Sequence, residues 1–207
     1  MGHEAAVTAL AFDPSGRFGI SLTKNRGFSI LDTTRGSVPF RFDCGVESFT
    51  AVDINNTATC FATGQRDGTV TFWDLRAPGS GVASVPAELL SPVSRLSFSE
   101  NSLASLLSDG LIVVRDKRQL QAPVRVQHPS VTGSKTWGSL QYDHTGKYLA
   151  AGGSSSIQVF DCADSYKVVR TLVGHKAMVN GLHWRESGAE LISSSTDGVV
   201  VLWGGRQ

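Results

Sequence analysis

The chain has 207 residues, 41% of them hydrophobic, with 22 glycines and a formal net charge of +1. A nearly neutral chain carries no global field to draw it to nucleic acid or an anionic membrane, and no stretch approaches the roughly 20 apolar residues of a membrane-spanning helix. Three cysteines (Cys44, Cys60, Cys162), odd in number and widely spaced, argue against a disulfide framework and a paired-cysteine metal site, and fit a reducing compartment.

Met1-Gly2-His3-Glu4 lacks a basic stretch followed by an apolar one, so no secretory leader is expected, and Gly2 reads as the start of a repeat rather than a lipidation site. Val7 to Phe12 then alternates at period two, as a strand with one buried face does, and runs into the turn Asp13-Pro14-Ser15-Gly16. The same phrase recurs as Thr50–Ile54 with Asn55-Asn56-Thr57, Val93–Phe98 with Ser99–Ser102, Trp137–Tyr142 with Asp143–Gly146, and Val179–Trp184 with Arg185–Gly188. Without a leader the sequon Asn55-Asn56-Thr57 reads as a polar turn. A second strand follows each turn, then a tight hairpin at Asp67-Gly68, Asp109-Gly110 or Asp197-Gly198, where Gly takes a positive φ without steric cost. A third strand closes each unit. Fourth strands are expected to be shorter and less regular: Val38–Phe42, Val124–Val126 and Val168–Leu172. No segment has helical periodicity, so the chain is read as all-β.

The closing dipeptides Leu31-Asp32, Trp73-Asp74, Arg115-Asp116, Phe160-Asp161 and Trp203-Gly204 lie 42, 42, 45 and 43 positions apart. With Gly174-His175 opening the last unit, that period of roughly 40–45 residues resembles the WD-repeat propeller. The expected repeats are 1–36, 37–78, 79–120, 121–165 and 166–207. The resemblance implies a hydrogen-bonded tetrad of His, Ser/Thr, turn Asp and Trp in each blade. The last repeat supplies all four: His175, Ser193, Asp197 and Trp203. Repeat one has His3 and Ser21, but Asn25 and Leu31 at the other places. Repeat two has Thr63, Asp67 and Trp73, with Cys44-Gly45 where Gly-His would stand. Repeat three keeps Ser105 and Asp109 and has Arg115 for Trp; repeat four replaces the turn Asp with a Gly-Ser run and carries a long loop, His128 to Thr136. Three strands in each repeat and four fourth strands predict nineteen strands, the fifth sheet having three. Closed WD propellers mostly have seven blades, so the chain is read as an incomplete portion of such a ring, about two blades short. Open edges are ones folded proteins avoid, so a longer protein or a closing partner is expected.

Catalytic constellations are not found. Thr132-Gly133-Ser134-Lys135-Thr136 superficially resembles a phosphate loop, but its Gly and Lys are not adjacent and no helix follows, so it reads as a plain loop. His128, His144 and His183 form no ligand set, and no metal or other cofactor is expected. The turn aspartates sit one repeat apart, which leaves no paired carboxylates. What remains is surface. By repeat phase Lys24, Arg26, Arg66, Lys135 and Lys176 fall on one face, a mildly basic candidate docking site for acidic peptide or RNA backbone; scattered solvated charge is the plainer reading. On the other face Trp73-Asp74-Leu75-Arg76 matches the box by which WD substrate receptors of cullin ligases meet their adaptor, making Arg76, with Arg118 as a weaker echo, the alternative adaptor-binding residues.

A more particular resemblance lies in repeats three and four. Ser97-Phe98-Ser99-Glu100-Asn101, Leu103-Ala104, Asp109-Gly110 and Asp116–Leu120 are followed by Ser139–Ala150 and a Gly-Gly turn. This order resembles the C-terminal propeller of the pre-mRNA-processing factor nineteen family, U-box ubiquitin ligases of the spliceosome. The resemblance implies a non-catalytic, nuclear scaffold that binds splicing-complex subunits and ubiquitination substrates in pre-mRNA splicing, with DNA repair as a further setting. Ubiquitin transfer would be performed by a U-box absent from these residues. Small molecules and membranes are not expected partners, and nucleic acid is a weak one. A cullin-ligase receptor, or a generic cytoplasmic WD scaffold, is the alternative.

Overall fold

The computed structural model describes residues 5–24, 27–43, 49–79, 81–86, 90–127, 138–185 and 190–204. Among them are nineteen strands and no helix. Each sheet is an antiparallel meander, strands side by side in chain order. Sheet one comprises β1 (Val7–Phe12), β2 (Phe18–Thr23), β3 (Gly27–Asp32) and β4 (Ser37–Phe42). Sheet two comprises β5 (Phe49–Ile54), β6 (Cys60–Gln65), β7 (Val70–Asp74) and β8 (Gly81–Val85). Sheet three has β9 (Val93–Phe98), β10 (Ser102–Leu107), β11 (Leu111–Asp116) and β12 (Val124–Gln127), and sheet four β13 (Ser139–Tyr142), β14 (Tyr148–Gly152), β15 (Ser156–Asp161) and β16 (Lys167–Val173). Sheet five has three described strands, β17 (Val179–Trp184), β18 (Glu190–Ser195) and β19 (Val200–Gly204).

Two details differ from the sequence reading. The fourth strands are not uniformly short: β16, at seven residues, is the longest in the chain. Its two sheet faces and outer edge lie largely in solvent, so no alternation of apolar residues marks its ends. The expected first strand of repeat four begins at Ser139 rather than Trp137, which lies outside the described residues.

Two turns show why the chain folds back in phase. Asp13 accepts the N–H of Phe18 at 2.6 Å, and Asp143 accepts that of Tyr148 at 2.7 Å. In both, a buried carboxylate satisfies the first donor of the next strand. Asn55 fills that place in sheet two, accepting from Thr59 and Cys60, both at 3.0 Å, while its own amide donates to Thr57 and Thr59. The sequon asparagine is therefore buried turn structure. At the hairpins, Gly68, Gly110 and Gly198 have φ of 93°, 91° and 80°, the left-handed conformation that glycine adopts without cost.

The chain forms two compact units, Met1–Leu96 and Ser97–Gln207. The first is organised around Phe28, whose ring lies 5.2 Å from Phe42, 5.1 Å from Phe61 and 4.9 Å from Trp73, with Phe49 at 6.0 Å. β3 and β4 thereby meet β5, β6 and β7 through aromatic edges and faces. Gly64 lets the next strand approach closely, because a Cβ there would sit 2.4 Å from Val93. The second unit has two apolar clusters. Ile112, Val114 and Val126 pack with Leu140, Tyr142 and Leu149, and Ile157 and Val159 pack with Val179, Leu182 and Trp184. Within the units, β5 thus packs on sheet one, β13 on sheet three and β17 on sheet four.

Candidate functional site

The most complete polar constellation lies in sheet five. Ser193, on β18, is 1% exposed and sits between two partners. The Trp203 indole Nε1 donates to Ser193 Oγ at 2.7 Å, and His175 Nε2 lies 2.7 Å from the same oxygen. His175 Nδ1 lies 3.3 Å from Asp197 Oδ2. A neutral imidazole with its proton on Nδ1 satisfies every atom: Trp203 donates to Ser193, Ser193 to His175, and His175 to Asp197. The other oxygen of Asp197 accepts the N–H of Val199 at 2.9 Å and holds the hairpin. One further donor escaped the sequence reading. The Lys176 backbone N–H reaches Asp197 Oδ2 at 2.8 Å, tying the segment before β17 to the β18–β19 turn. Ser195 adds a second tie, donating to Ala177 O at 3.0 Å. The Ser193-Ser194-Ser195 run, alternating inward and outward, was the signal that could have marked it.

This hydrogen bonding holds the Asp197 carboxyl well below its ordinary 3.8, at about 2, with the Lys176 N–H the largest cause and burial opposing it. A folded value below the unfolded one means that the contribution is complete above the unfolded value and is lost as pH falls through the folded one. The melting difference between the parent and Asp197→Asn is therefore expected to be full at about pH 6 and to close between about pH 4 and pH 2. A difference independent of pH across that window would show that the charge is not what the network uses.

The other repeats keep fragments of this arrangement. Trp73 Nε1 donates to Thr63 Oγ1 at 2.8 Å, and Asp67 Oδ1 accepts the N–H of Thr69 at 2.8 Å. Ser105 Oγ donates instead to Val113 O at 3.0 Å, while Arg115 occupies the buried Trp position. Asp109 caps its turn through Leu111 N–H at 3.1 Å. Ser21 Oγ is buried with no partner among the described residues; His3 and Asn25 lie outside them. Among the described residues the turn aspartates Asp67, Asp109 and Asp197 each accept a hairpin N–H, and Asp197 in addition faces His175 and accepts from Lys176.

The surface residues separate by unit. Lys24 and Arg66 are both exposed, in the β2–β3 and β6–β7 hairpins of the first unit. Lys176 is exposed in the second unit, beside the tetrad. Arg26 and Lys135 lie outside the described residues, as does the loop from His128 to Thr136. Arg76 presents a fork to its own neighbour: Nε and Nη2 lie 3.0 and 2.8 Å from the Asp74 carboxylate. That contact holds Asp74 at about 2. Arg118 is arranged differently, donating from Nη2 to Asn101 Oδ1 at 3.2 Å. Among the described residues no group of three His, Cys, Asp or Glu could hold a metal ion. The Cys162 thiol is pushed up to about 12, chiefly by burial, which removes it as a nucleophile at neutral pH.

Comparison with known proteins agrees with this geometry. The WD40 family pattern, "WD domain, G-beta repeat", matches residues 1–23, 41–74 and 166–204. Repeats three and four fall outside the matched segments, and they are the ones with Arg115 for Trp and with the turn Asp lost. Pre-mRNA-processing factor 19 of Oryza sativa subsp. japonica is 28% identical over 176 residues, covering 82% of this chain and 32% of the relative. Eukaryotic translation initiation factor 3 subunit I of Drosophila grimshawi is 22% identical over 215 residues, covering 98% of this chain and 64% of the relative. The chain thus spans about a third of the first relative's length and somewhat under two thirds of the second's. Among solved structures, the β-propeller domain of Myceliophteria thermophila Cps50 (Swd1) aligns with a TM-score of 0.81 at 19% identity, over 98% of this chain and 66% of that one. Repeat period, sheet order and propeller neighbours give this chain the fold of a WD-repeat β-propeller, with the WD40 pattern itself matched in three segments; such a fold serves as a scaffold for protein interaction.

Proposed function

We propose that this chain is the partner-binding propeller of a splicing-associated ubiquitin ligase, taking up acidic segments of splicing-complex subunits and ubiquitination substrates in the nucleus. The observation that carries the reading is the likeness to the rice processing factor, which spans repeats of degenerate as well as complete pattern. Chemistry in the chain is consistent with it: the polar constellation of sheet five consumes its own donors and acceptors internally and leaves no free nucleophile or base. Ubiquitin transfer would therefore be performed elsewhere in such a ligase. The docking groups are exposed side-chain cations, Lys24 and Arg66 on the first unit and, on the second, Lys176, which joins the network through its backbone N–H alone. Such charges set partner choice and encounter rate more than affinity.

Reversing Lys24, Arg66 and Lys176 to Glu is expected to reduce association with purified splicing-complex subunits at least tenfold at about 50 mM salt, and by much less at about 300 mM, because exposed pairs are screened. The melting temperature should not move. The competing reading, a cullin-ligase substrate receptor, draws on the Asp74–Arg76 fork, which holds an exposed guanidinium in one orientation. Arg76→Ala separates the two. Loss of partner association through Arg76→Ala, with no effect of the three reversals, would favour the receptor.

A further inference from the structure

Aligned on the last residue of their first strands, the five sheets place Ala9, Ala51, Arg95, Ser139 and Gly181 in one position. Four of these are small, and in sheet five the room is short, because a Cβ on Gly181 would lie 2.6 Å from Ser194 Oγ. Sheet three puts a long cation there. Arg95 is also the one residue of β9 that is not buried, so its side chain runs from a packed strand to an opening.

The guanidinium leaves most of its donors unused. Nη1 donates to the carbonyl of its own neighbour Ser94 at 2.7 Å, and among the described residues Arg95 makes no other hydrogen bond and no ion pair. Four of the five N–H donors of a guanidinium therefore remain. Two of them, on Nε and Nη2, form the flat parallel pair that matches the two oxygens of a carboxylate, as Arg76 does for Asp74. Burial pushes the Arg95 guanidinium down from its ordinary value, and no neighbouring carboxylate opposes that. A half-buried charge without a counter-charge is costly, and an incoming anion offsets the cost.

The position lies at the end of sheet two that carries Arg66. Gly64 lies so near Val93 that an added Cβ would fall 2.4 Å from it, and the Val93 carbonyl accepts from Thr50 Oγ1 at 2.6 Å. Gly64 pairs with Val70 at the base of the β6–β7 hairpin, which holds Arg66. Arg95 follows Val93 by two residues, about 7 Å along the strand. An exposed cation and a half-buried one thus stand at the same end of the first unit.

We propose that Arg95 selects the ligand of this surface: its Nε–Nη2 edge takes one Glu or Asp side chain from an extended acidic segment of a partner protein. The inference rests on the charge-based docking reading and names the residue that discriminates within it. Charge balance favours a carboxylate. One guanidinium offsets one negative charge, whereas a phosphate monoester carries about 1.5 to 2 and a nucleic acid strand brings a closely spaced row. Lys24 and Arg66 then set the rate of encounter, and Arg95 sets which anion stays.

The test titrates acetylated hexaglutamate into the isotope-labelled full chain at about 300 mM salt, where exposed pairs are screened and a half-buried one less so. The Arg95 Nε–H resonance is expected to shift and saturate with hexaglutamate and to stay in place with hexaglutamine. Arg95→Lys keeps the charge without the fork and should weaken hexaglutamate about tenfold. Lys24→Glu with Arg66→Glu should weaken it by less than about threefold at this salt. An unmoved Arg95 resonance would overturn the proposal, as would equal movement by inorganic phosphate or by oligouridylate at the same concentration. If Arg95→Lys does not fold, the resonance in the parent decides. The two readings fail separately. Hexaglutamate bound at Arg95 without capture of splicing-complex subunits would support the selector and remove the ligase reading. Capture abolished by the charge reversals but unchanged by Arg95→Lys would overturn the selector alone.

Discussion

Phe28→Ala is expected to lower the stability of the chain by about 3–5 kcal/mol, the range for removing a fully buried phenylalanine. Its ring is 1% exposed and lies against five other rings that come from two successive sheets. These neighbours cannot collapse into the void, because the pairing of β3 with β4 and of β6 with β7 fixes their backbones. Denaturant melts monitored through Trp73 fluorescence would show it, with Val82→Ala on the exposed β8 as a control expected within about 0.5 kcal/mol of the parent. A loss below about 1 kcal/mol would mean that the aromatic cluster is not the organising core of the first unit.

His175→Ala should be the next most damaging change, at about 1–3 kcal/mol, because it leaves the buried Ser193 hydroxyl without its acceptor and one Asp197 contact unmade. Ser193→Ala should cost a similar amount by a different route, stranding both the Trp203 indole N–H and His175 Nε2. The double variant is expected to cost clearly less than the two single losses added, since both remove the same bond. Additive losses would show that His175 and Ser193 act independently. Thr63→Ala in sheet two, where the bond from Trp73 stands without a described histidine, supplies a reference for a single indole bond.

The relation between these two expectations shows where the chain's information resides. The tetrad was legible from one repeat because every member stands at a fixed offset from a hairpin: Ser193 before the Asp197-Gly198 turn, Trp203 after it, and Gly174-His175 ahead of β17. Local rules suffice there, since strand alternation and a turn with one positive-φ glycine place Ser and Trp on one side of the same sheet. The repeat period likewise announced strands, turns and the three-stranded last sheet. The aromatic cluster around Phe28 had no such signature. Its members come from five strands, and their sequence positions from Phe28 to Trp73 share no motif; only the packing of one sheet on the next brings them together.

The fourth strands fall between these cases. Phe42, Val85, Val126 and Leu172, opposite Phe28, Val70, Ile112 and Ile157, are all apolar, but the remaining positions vary, and β16 is solvated along most of its length. Period-two alternation requires one buried face, so the sequence understated a strand on which Leu172 is the one half-buried residue. The same reasoning separates the exposed Val200 from the buried Ile157. As sequence both are aliphatic residues at one place in a repeat, and nothing local distinguishes them. The sequence by itself determined the repeat, the strands, the hairpins and the polar network within one sheet, because each follows from short-range geometry. Only the tertiary structure decided which apolar faces are covered, since burial depends on the next sheet along the chain and not on the residue.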